Sequence, residues 1–295
     1  METLAQRPFW RGWNKRNMDT MPDVRMPRPL SQTLGVTIHP SAVVDPAAVL
    51  GHGVSIGPFC TVGAGVVLED RVRLVSHVVV DGLTRLGRDV IVSPFCTVGL
   101  PPQDLKYRDE PTTLDIGART QIREHCSIHR GTPGGGGGTV IGTDCMLMAV
   151  VHVAHDCQIG NHVVIANNAL MGGHVTIGDH AVIGGGAAIH QFVRVGRAAM
   201  IGGISGAAAD VIPFGTVMGN RGLLSGLNIV GLRRRGFDKD AIAILRSAYG
   251  LLFSHDGIFA QRLEETRAKY GDAPLVREVL DFIDGESHRG LIQYE

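Results

Sequence analysis

Aromatic residues are scarce in this 295-residue chain, 5% of the total, with only two tryptophans and four tyrosines. An interior built on large rings is therefore excluded. No sign of charge dominates, since Lys plus Arg and Asp plus Glu each number 28. Without an overall field, nothing recruits nucleic acid or an anionic membrane. Cysteine is sparse too: Cys60, Cys96, Cys126, Cys145 and Cys157 form an odd set with no CxxC pair. Reduced, mostly buried thiols are expected. No apolar run approaches the roughly 20 residues that span a bilayer. The start, METLAQRPFWRGWNKRNMDTMPDVRMPRP, lacks the apolar middle of a secretion signal. A soluble, cytoplasmic protein is the expectation.

What the chain has is glycine, 40 residues of it, and small aliphatic side chains in a strict order. From Ile38 in steps of six come Val44, Leu50, Ile56, Val62, Leu68, Leu74, Val80, Leu86, Val92 and Val98. Glycine often follows the aliphatic residue, as at Gly51, Gly57, Gly63, Gly87 and Gly99. The register resumes at Ile116, Ile122 and Ile128, and again from Ile141 through Leu147, Val153, Ile159, Ile165 and Met171 to Ile201. A period of six suits neither a helix at 3.6 nor an alternating strand at 2. It marks a hexapeptide solenoid, in which each hexad is a short strand plus a corner. Three hexads, about 18 residues, close one triangular coil, and coils stack roughly 4.8 Å apart around a continuous aliphatic column. The small residue after each aliphatic one is expected to help the chain turn the corner.

The expected class is mainly β, a solenoid over 36–213, with loops at 100–115 and 131–140. Loop one, LPPQDLKYRDEPTTLD, is polar and long, a frequent carrier of function on a rigid scaffold. Loop two, RGTPGGGGGTV, lacks the GK[ST] and the βαβ context of a phosphate-binding loop and reads as a flexible excursion without chemistry. Residues 214–236 form a connector. From Phe237 the pattern turns helical, with Ile242, Leu245, Tyr249 and Leu252 on one face, Asp238 as N-cap, a stop at Gly271 and a restart at Pro274. A small α-helical domain over 237–295 follows. Residues 1–35 show neither period and read as a disordered or loosely attached extension.

The stretch HVAHDC, residues 152–157, carries the chemistry. A step of 18 takes His155 to Gly173 and then Gln191, so with His174 and His190 these should line one face across three coils. His152 closes the preceding hexad, at the corner leading into that face. A lone surface histidine is usually idle, but four imidazoles in one column make a site. Zinc needs three or four convergent ligands, which the spacing does not supply. Cys157 is placed to pack inward and is no nucleophile. A general base remains: neutral imidazole takes a hydroxyl proton near neutral pH, best when a carboxylate holds its other nitrogen. Asp156 is adjacent, yet successive strand side chains face opposite sides, so contact with His155 requires corner geometry.

QDLKY, REHCSIHRGT, the run from HVAHDC to HQFVRVG, NIVGLRRRGF and SHRGLI, in this order, closely resemble the acyl-carrier-protein–UDP-N-acetylglucosamine O-acyltransferases, which begin lipid A synthesis. The resemblance covers about residues 36–292. It implies a left-handed β-helix, a handedness strand physics alone would not choose, and a homotrimer with active sites between subunits. It further implies that His155 deprotonates the glucosamine 3-hydroxyl, which attacks a (3R)-3-hydroxyacyl thioester on acyl carrier protein, with Asp156 orienting the base. The Gly173 N–H would steady the oxyanion. Asp104, Lys106, His152, His174, His190 and Gln191 would contact substrate, and Asn228, Arg234 and Arg235 the uridine diphosphate. Gly203 matches the family's acyl-length position and leaves the groove open to about fourteen carbons. No cofactor or metal is implied, because the thioester supplies the driving force. A basic strip for the acidic carrier would run through Arg233, Arg234, Arg235 and Arg246.

Three features depart from the family. Val230 stands where some members have an acid, Arg221 where some have histidine, and residues 1–35 have no counterpart, with Met18, Met21 and Met26 as alternative starts. Competing readings are the pathway's N-acyltransferase, which carries an N-terminal uridine-binding domain; a 2,3-diamino sugar as acceptor; and a non-catalytic scaffold or zinc hydratase.

Overall fold

The computed structural model describes residues 35–294. The expectations for the N-terminal extension and its alternative starts lie outside these residues. The solenoid is a left-handed parallel β-helix whose three sides are sheets of 11, 9 and 8 strands. Most strands are two residues long. The first side begins at Thr37–Ile38, the second at Val43–Val44 and the third at Val49–Leu50. Each strand pairs in parallel with its equivalent one coil on: Thr37 with Ser55, Val43 with Thr61, Val49 with Val67.

The hexad explains the packing. Its aliphatic residue points inward, and Ile56, Leu68, Leu74, Leu86, Ile116, Ile122, Ile128 and Ile165 are fully buried. Each such side chain contributes about 1.5–3 kcal/mol on burial. The position two residues earlier also faces in and holds small groups such as Val54, Val66 and Val72. All five cysteines are free and buried there, and burial pushes the Cys157 thiol up to about 12, which removes its thiolate at neutral pH.

The corner residue lies three places after the aliphatic one and takes the left-handed region. Phe59, His77, Phe95, Asp156, His174 and Phe192 all have φ between 52° and 66°. Such a conformation is costly for residues with a side chain. A hydrogen bond to the neighbouring coil offsets it, as when His174 N–H donates to the His155 carbonyl at 3.0 Å and Phe192 N–H to that of Gly173 at 3.0 Å. Contrary to expectation, the glycines that follow the aliphatic residues do not supply this turn; Gly99 alone of the five named takes a left-handed φ, 80°, where loop one departs. Gly57 has no left-handed φ; a Cβ there would sit 1.7 Å from the Val75 carbonyl oxygen, so its absence admits the next coil's backbone.

Past Pro213 the expected connector carries regular structure. Gly215–Met218 and Leu223–Leu227 form an antiparallel hairpin that extends the first side. Helix α1 spans Ile229–Arg234, α2 Lys239–Leu252, α3 Phe259–Tyr270 and α4 Pro274–Asp284. Asp238 caps α2 by accepting from Asp240 N–H and Ala241 N–H. Gly271 caps α3, and Pro274 opens α4. The helices buttress the end of the solenoid through the Arg197–Glu278 pair. Arg194 bonds Asp210 at 2.7 Å and lies over the Phe282 ring. The C-terminal tail returns to the solenoid, where Leu291 bridges Asp210. No helix among the described residues is long and apolar enough to cross a membrane.

Candidate active site

His155 and Asp156 of HVAHDC lie at one edge of the prism, between its second and third sides. Loop one leaves after Thr97–Leu100 on the second side and rejoins at Thr113–Ile116 on the third. Loop two leaves after Ser127–His129 and rejoins at Gly138–Ile141, at the same edge one coil later. The next three coils pass this edge as Ala154–Cys157, Gly172–His174 and His190–Phe192. The histidine column thus follows an edge, not a flat face. His152 is not at the corner; it lies in a second-side strand, His152–Val153.

The corner resolves the contact between neighbours. Asp156 sits at φ 61°, which swings its carboxylate back beside the preceding ring. Its Oδ2 lies 2.7 Å from His155 Nδ1. The carboxylate is only 4% exposed as a residue and is fully hydrogen-bonded. Thr132 of loop two donates its N–H to Oδ1 at 2.8 Å and its hydroxyl to Oδ2 at 2.6 Å. Asp156 N–H donates to Thr139 Oγ1 at 2.8 Å. Burial alone would raise the carboxyl pKa, but the bonds from His155 and Thr132 outweigh it and hold it below the usual range. Loop two is therefore anchored, with a single 3-10 turn at Pro133–Gly135, and is not the free excursion its composition suggested.

With the Nδ1 proton directed to the carboxylate, His155 Nε2 presents a lone pair outward. A Cβ on Gly173 would lie 2.6 Å from His155 Cε1 and 2.8 Å from Nε2. Glycine is required there because the base occupies that space. The Gly173 N–H has no acceptor among the described residues. A base nitrogen and a free peptide donor thus adjoin on successive coils, as the stacking had implied.

Around this pair the expected residues take distinct positions. His174 crosses His155 edge-on at 5.1 Å, stacks on Phe192 at 4.4 Å and lies 3.7 Å from Asp156 Oδ2. Burial lowers its pKa, and His155 adds to this against the pull of Asp156 and of Asp104 in loop one. His152 faces Ser127, with Oγ 2.6 Å from its Nδ1. His190 and Gln191 are exposed, and the tail reaches them: Arg289 donates to the Gln191 carbonyl at 3.0 Å and lies 2.7 Å from His190 Nδ1. In loop one, Asp104 receives Lys106 N–H at 2.8 Å and presents Leu105, 96% exposed, between them. Tyr107 tethers the loop by accepting from Arg130 at 2.9 Å. At Gly203 an added Cβ would meet nothing closer than the Gly185 carbonyl at 3.4 Å.

The nucleotide set is not gathered with these groups. Asn228 is buried as the N-cap of α1: its oxygen accepts Gly231 N–H and its amide donates to the Ala198 carbonyl. Its oxygen and one amide hydrogen are thus engaged within the chain. Arg235 donates to the His180 carbonyl at 2.6 Å, on the edge between the third and first sides. Arg234 is exposed, as are Val230 and Arg221. One side of the prism therefore separates these arginines from His155.

Several groups escaped sequence reasoning. His129 is 6% exposed, its ring 5.0 Å from His152, and burial aided by His152 and His155 pushes its pKa down to about 4. Its Nδ1 has no hydrogen-bond partner among the described residues. Ser127, Thr132, Phe192, His288 and Arg289 also border the site. Ser127 pairs with His152 one coil on although 25 residues separate them, so the register broken by loop two concealed it and His129 beside it. One metal-ligand set exists among the described residues, His155, Asp156 and His174, whose donor atoms lie within 4.8 Å. An ion there would displace the His155 and Thr132 contacts from Oδ2.

A stacked hexad coil with a carboxylate-held imidazole and a free amide at one edge defines a hexapeptide-repeat transferase. Residues 35–70 and 138–173 match the bacterial transferase hexapeptide family, and 210–292 match the second domain of UDP-N-acetylglucosamine O-acyltransferase. The chain is 47% identical over 254 residues to a Rhizobium rhizogenes protein named acyl-(acyl-carrier-protein)–UDP-N-acetylglucosamine O-acyltransferase, covering 86% of this chain and 94% of that one. A Bartonella quintana protein of the same name is 44% identical, covering 86% and 93%. A solved UDP-N-acetylglucosamine acyltransferase from Campylobacter jejuni superposes with a TM-score of 0.82 at 37% identity, over 88% of this chain and 100% of that one. The chain belongs to the acyl-carrier-protein–UDP-N-acetylglucosamine O-acyltransferase family.

Proposed function

We propose that this enzyme transfers a (3R)-3-hydroxyacyl chain from acyl carrier protein to the 3-hydroxyl of UDP-N-acetylglucosamine. The observation that carries the reading is His155, held by Asp156 on one ring nitrogen and abutting the Gly173 backbone on the other. His155 Nε2 takes the hydroxyl proton as the sugar oxygen attacks the thioester carbon. The tetrahedral oxyanion is met by the Gly173 N–H, a donor whose removal typically costs about 2.7–4 kcal/mol in such sites. Collapse expels the carrier's thiolate, which recovers the proton from His155. Neither redox chemistry nor a cofactor is needed for this exchange.

Asp104 and Lys106 at the loop-one tip, with His152, His174, His190 and Gln191 along the edge, are proposed to hold the sugar, phosphates and acyl carbonyl. Arg234, with whatever reach Arg235 retains, serves the diphosphate. Because His155 and these arginines occupy different edges of one prism, we place each pocket between neighbouring subunits of a homotrimer. Exposed Arg233, Arg234 and Arg246 supply a basic strip for the acidic carrier. Incubating the purified protein with UDP-N-acetylglucosamine and hydroxyacyl carrier protein, with mass spectrometry of the product, tests the reading. His155→Ala should abolish turnover and leave the particle mass unchanged. Turnover only with a 2,3-diamino sugar would replace the oxygen acceptor by nitrogen. No turnover with either acceptor would refute the assignment.

A further inference from the structure

At most corners of the solenoid the left-handed residue is supported by a carbonyl of the preceding coil, as His174 is by His155 and His180 by Asn161. Asp156 cannot have this support, because loop two leaves the prism at the coil below. The hydroxyl of Thr139, a fully buried residue, takes the missing carbonyl's place and accepts the Asp156 N–H. The other end of the loop supplies Thr132, 5% exposed, whose N–H and hydroxyl bind one carboxylate oxygen each. The middle supplies a space: a Cβ on Gly135 would lie 2.0 Å from Asp156 Cγ. Three separate points of a glycine-rich insertion thus meet a single residue, two at its carboxylate and one at its backbone N–H, and the carboxylate's remaining bond is to His155.

We infer that loop two is a positioning element for the base, in which Thr132 and Gly135 confine the Asp156 carboxylate and Thr139 holds the Asp156 backbone, so that Oδ2 stays aligned with His155 Nδ1. The inference rests on the reading of His155 as general base. It gives the GTPGGGGGT run a physical reason. A loop that must fold over a buried carboxylate without touching it with a side chain needs glycine at the point of closest approach. It needs hydroxyls where it enters and leaves. A carboxylate accepts about four hydrogen bonds; Thr132 occupies one site on each oxygen and leaves the inner face of Oδ2 to the imidazole. The Thr132 hydroxyl and His155 Nδ1 share that oxygen. Removing the hydroxyl frees the carboxylate to rotate. Rotation spoils the alignment of Oδ2 with the imidazole and lowers turnover while leaving substrate contacts in place.

Three variants test this in the assembled enzyme. Thr132→Val removes the hydroxyl at nearly constant volume and keeps the N–H, Thr132→Ser restores the hydroxyl, and Gly135→Ala fills the space beside Cγ at a residue whose φ is not left-handed. Steady-state rates with both substrates from about pH 5.5 to 9.5, alongside particle mass and melting temperature, provide the readout. The expected result is a kcat lowered roughly tenfold to a hundredfold in Thr132→Val and Gly135→Ala, with both KM values within about twofold. Thr132→Ser should return kcat toward the parent. Parent kcat in both Thr132→Val and Gly135→Ala would overturn the inference. So would a loss carried by KM, which would assign the loop to substrate. Should Thr132→Val fail to assemble, Gly135→Ala decides by the same criteria. His155→Ala is run in parallel: an active His155→Ala enzyme strikes down the general-base reading and the inference with it. A dead His155→Ala beside parent-like loop variants strikes down the inference alone.

Discussion

Asparagine at position 156 preserves shape and removes charge, and the structure dictates how the site must respond. Oδ1 accepts the Thr132 N–H at 2.8 Å, so the amide oxygen of Asp156→Asn belongs there and its NH2 falls at the place of Oδ2. Two partners face that point, His155 Nδ1 at 2.7 Å and Thr132 Oγ1 at 2.6 Å. The hydroxyl can rotate and accept. The imidazole can accept only by releasing its Nδ1 proton and carrying it on Nε2, the nitrogen that should receive the substrate's proton. Returning to the useful tautomer opposes two donors and forfeits a charge-assisted bond, at about 1.5–3 kcal/mol. The imidazolium formed during reaction also loses a neighbouring carboxylate, about 4 kcal/mol for charges 4 Å apart at a dielectric near 20. The two costs overlap, so kcat should fall by about 10² to 10⁴ with little change in either KM. Melting temperature and particle mass should stay close to the parent, whereas Asp156→Ala leaves two buried Thr132 donors unpaired and should also lose stability. An Asp156→Asn enzyme retaining more than about a tenth of parent kcat would refute the orienting role.

Three further outcomes are expected. Gly173→Ala places a methyl where His155 stands, 2.6 Å from Cε1, and should cost about a hundredfold in kcat by displacing the base; parent activity would show that the ring is not held there. His129, whose pKa is pushed from 6.5 to about 4, stays neutral in the folded protein while the unfolded chain takes up a proton near pH 6.5. Its contribution to stability therefore falls by about 3 kcal/mol as the pH drops from about 6.5 to about 4, and unfolding curves of parent and His129→Asn should converge over that window; a constant difference would contradict it. Gly203→Met fills the space now bounded by the Gly185 carbonyl and should shift donor preference from about fourteen carbons toward about ten. A parent enzyme that already prefers the shorter donor in turnover assays would refute the open-groove reading.

The repeat was legible because its cause is strictly local. A hexad needs one inward aliphatic side chain, and a shift of one residue would point it at solvent. The pairing of His155 with Gly173 followed from counting alone, since coils without insertions cannot slip. Counting failed where the register broke. Thr132 and Asp156 are brought together by a loop whose composition, glycine without periodicity, is also that of a free linker. Only its two hydroxyl residues hinted at an anchor. The cap at Asn228 escaped for a different reason: asparagine before a short helix serves equally as N-cap or ligand, and the helix at Ile229–Arg234 was too short to announce itself by periodicity. The corners show the same limit. Glycine after each aliphatic residue suggested turns, yet the turns fall on Asp156, His174 and Phe192, and the glycines answer to the crowding of adjacent coils.

Why the chemistry sits on an edge follows from what a corner does to the backbone. The left-handed residue turns its N–H along the stack to the neighbouring coil, as His174 and Phe192 do. At the edge between the second and third sides the residue before it, His155 or Gly173, has no acceptor among the described residues, and its N–H is open to a ligand. On the flat sides, by contrast, backbone donors and acceptors are paired strand to strand. Gly173 is such a pre-corner residue, and His155 occupies the same station one coil below. Coils roughly 4.8 Å apart then set base and donor at the spacing an acyl transfer needs. An attacking oxygen about 2.8 Å from Nε2 and bonded to a carbonyl carbon puts the oxyanion within reach of the next coil's amide. Such spacing is a property of the stack, not of any one side chain. A solenoid edge can therefore hold a base and an oxyanion donor in register through the stacking of its coils alone.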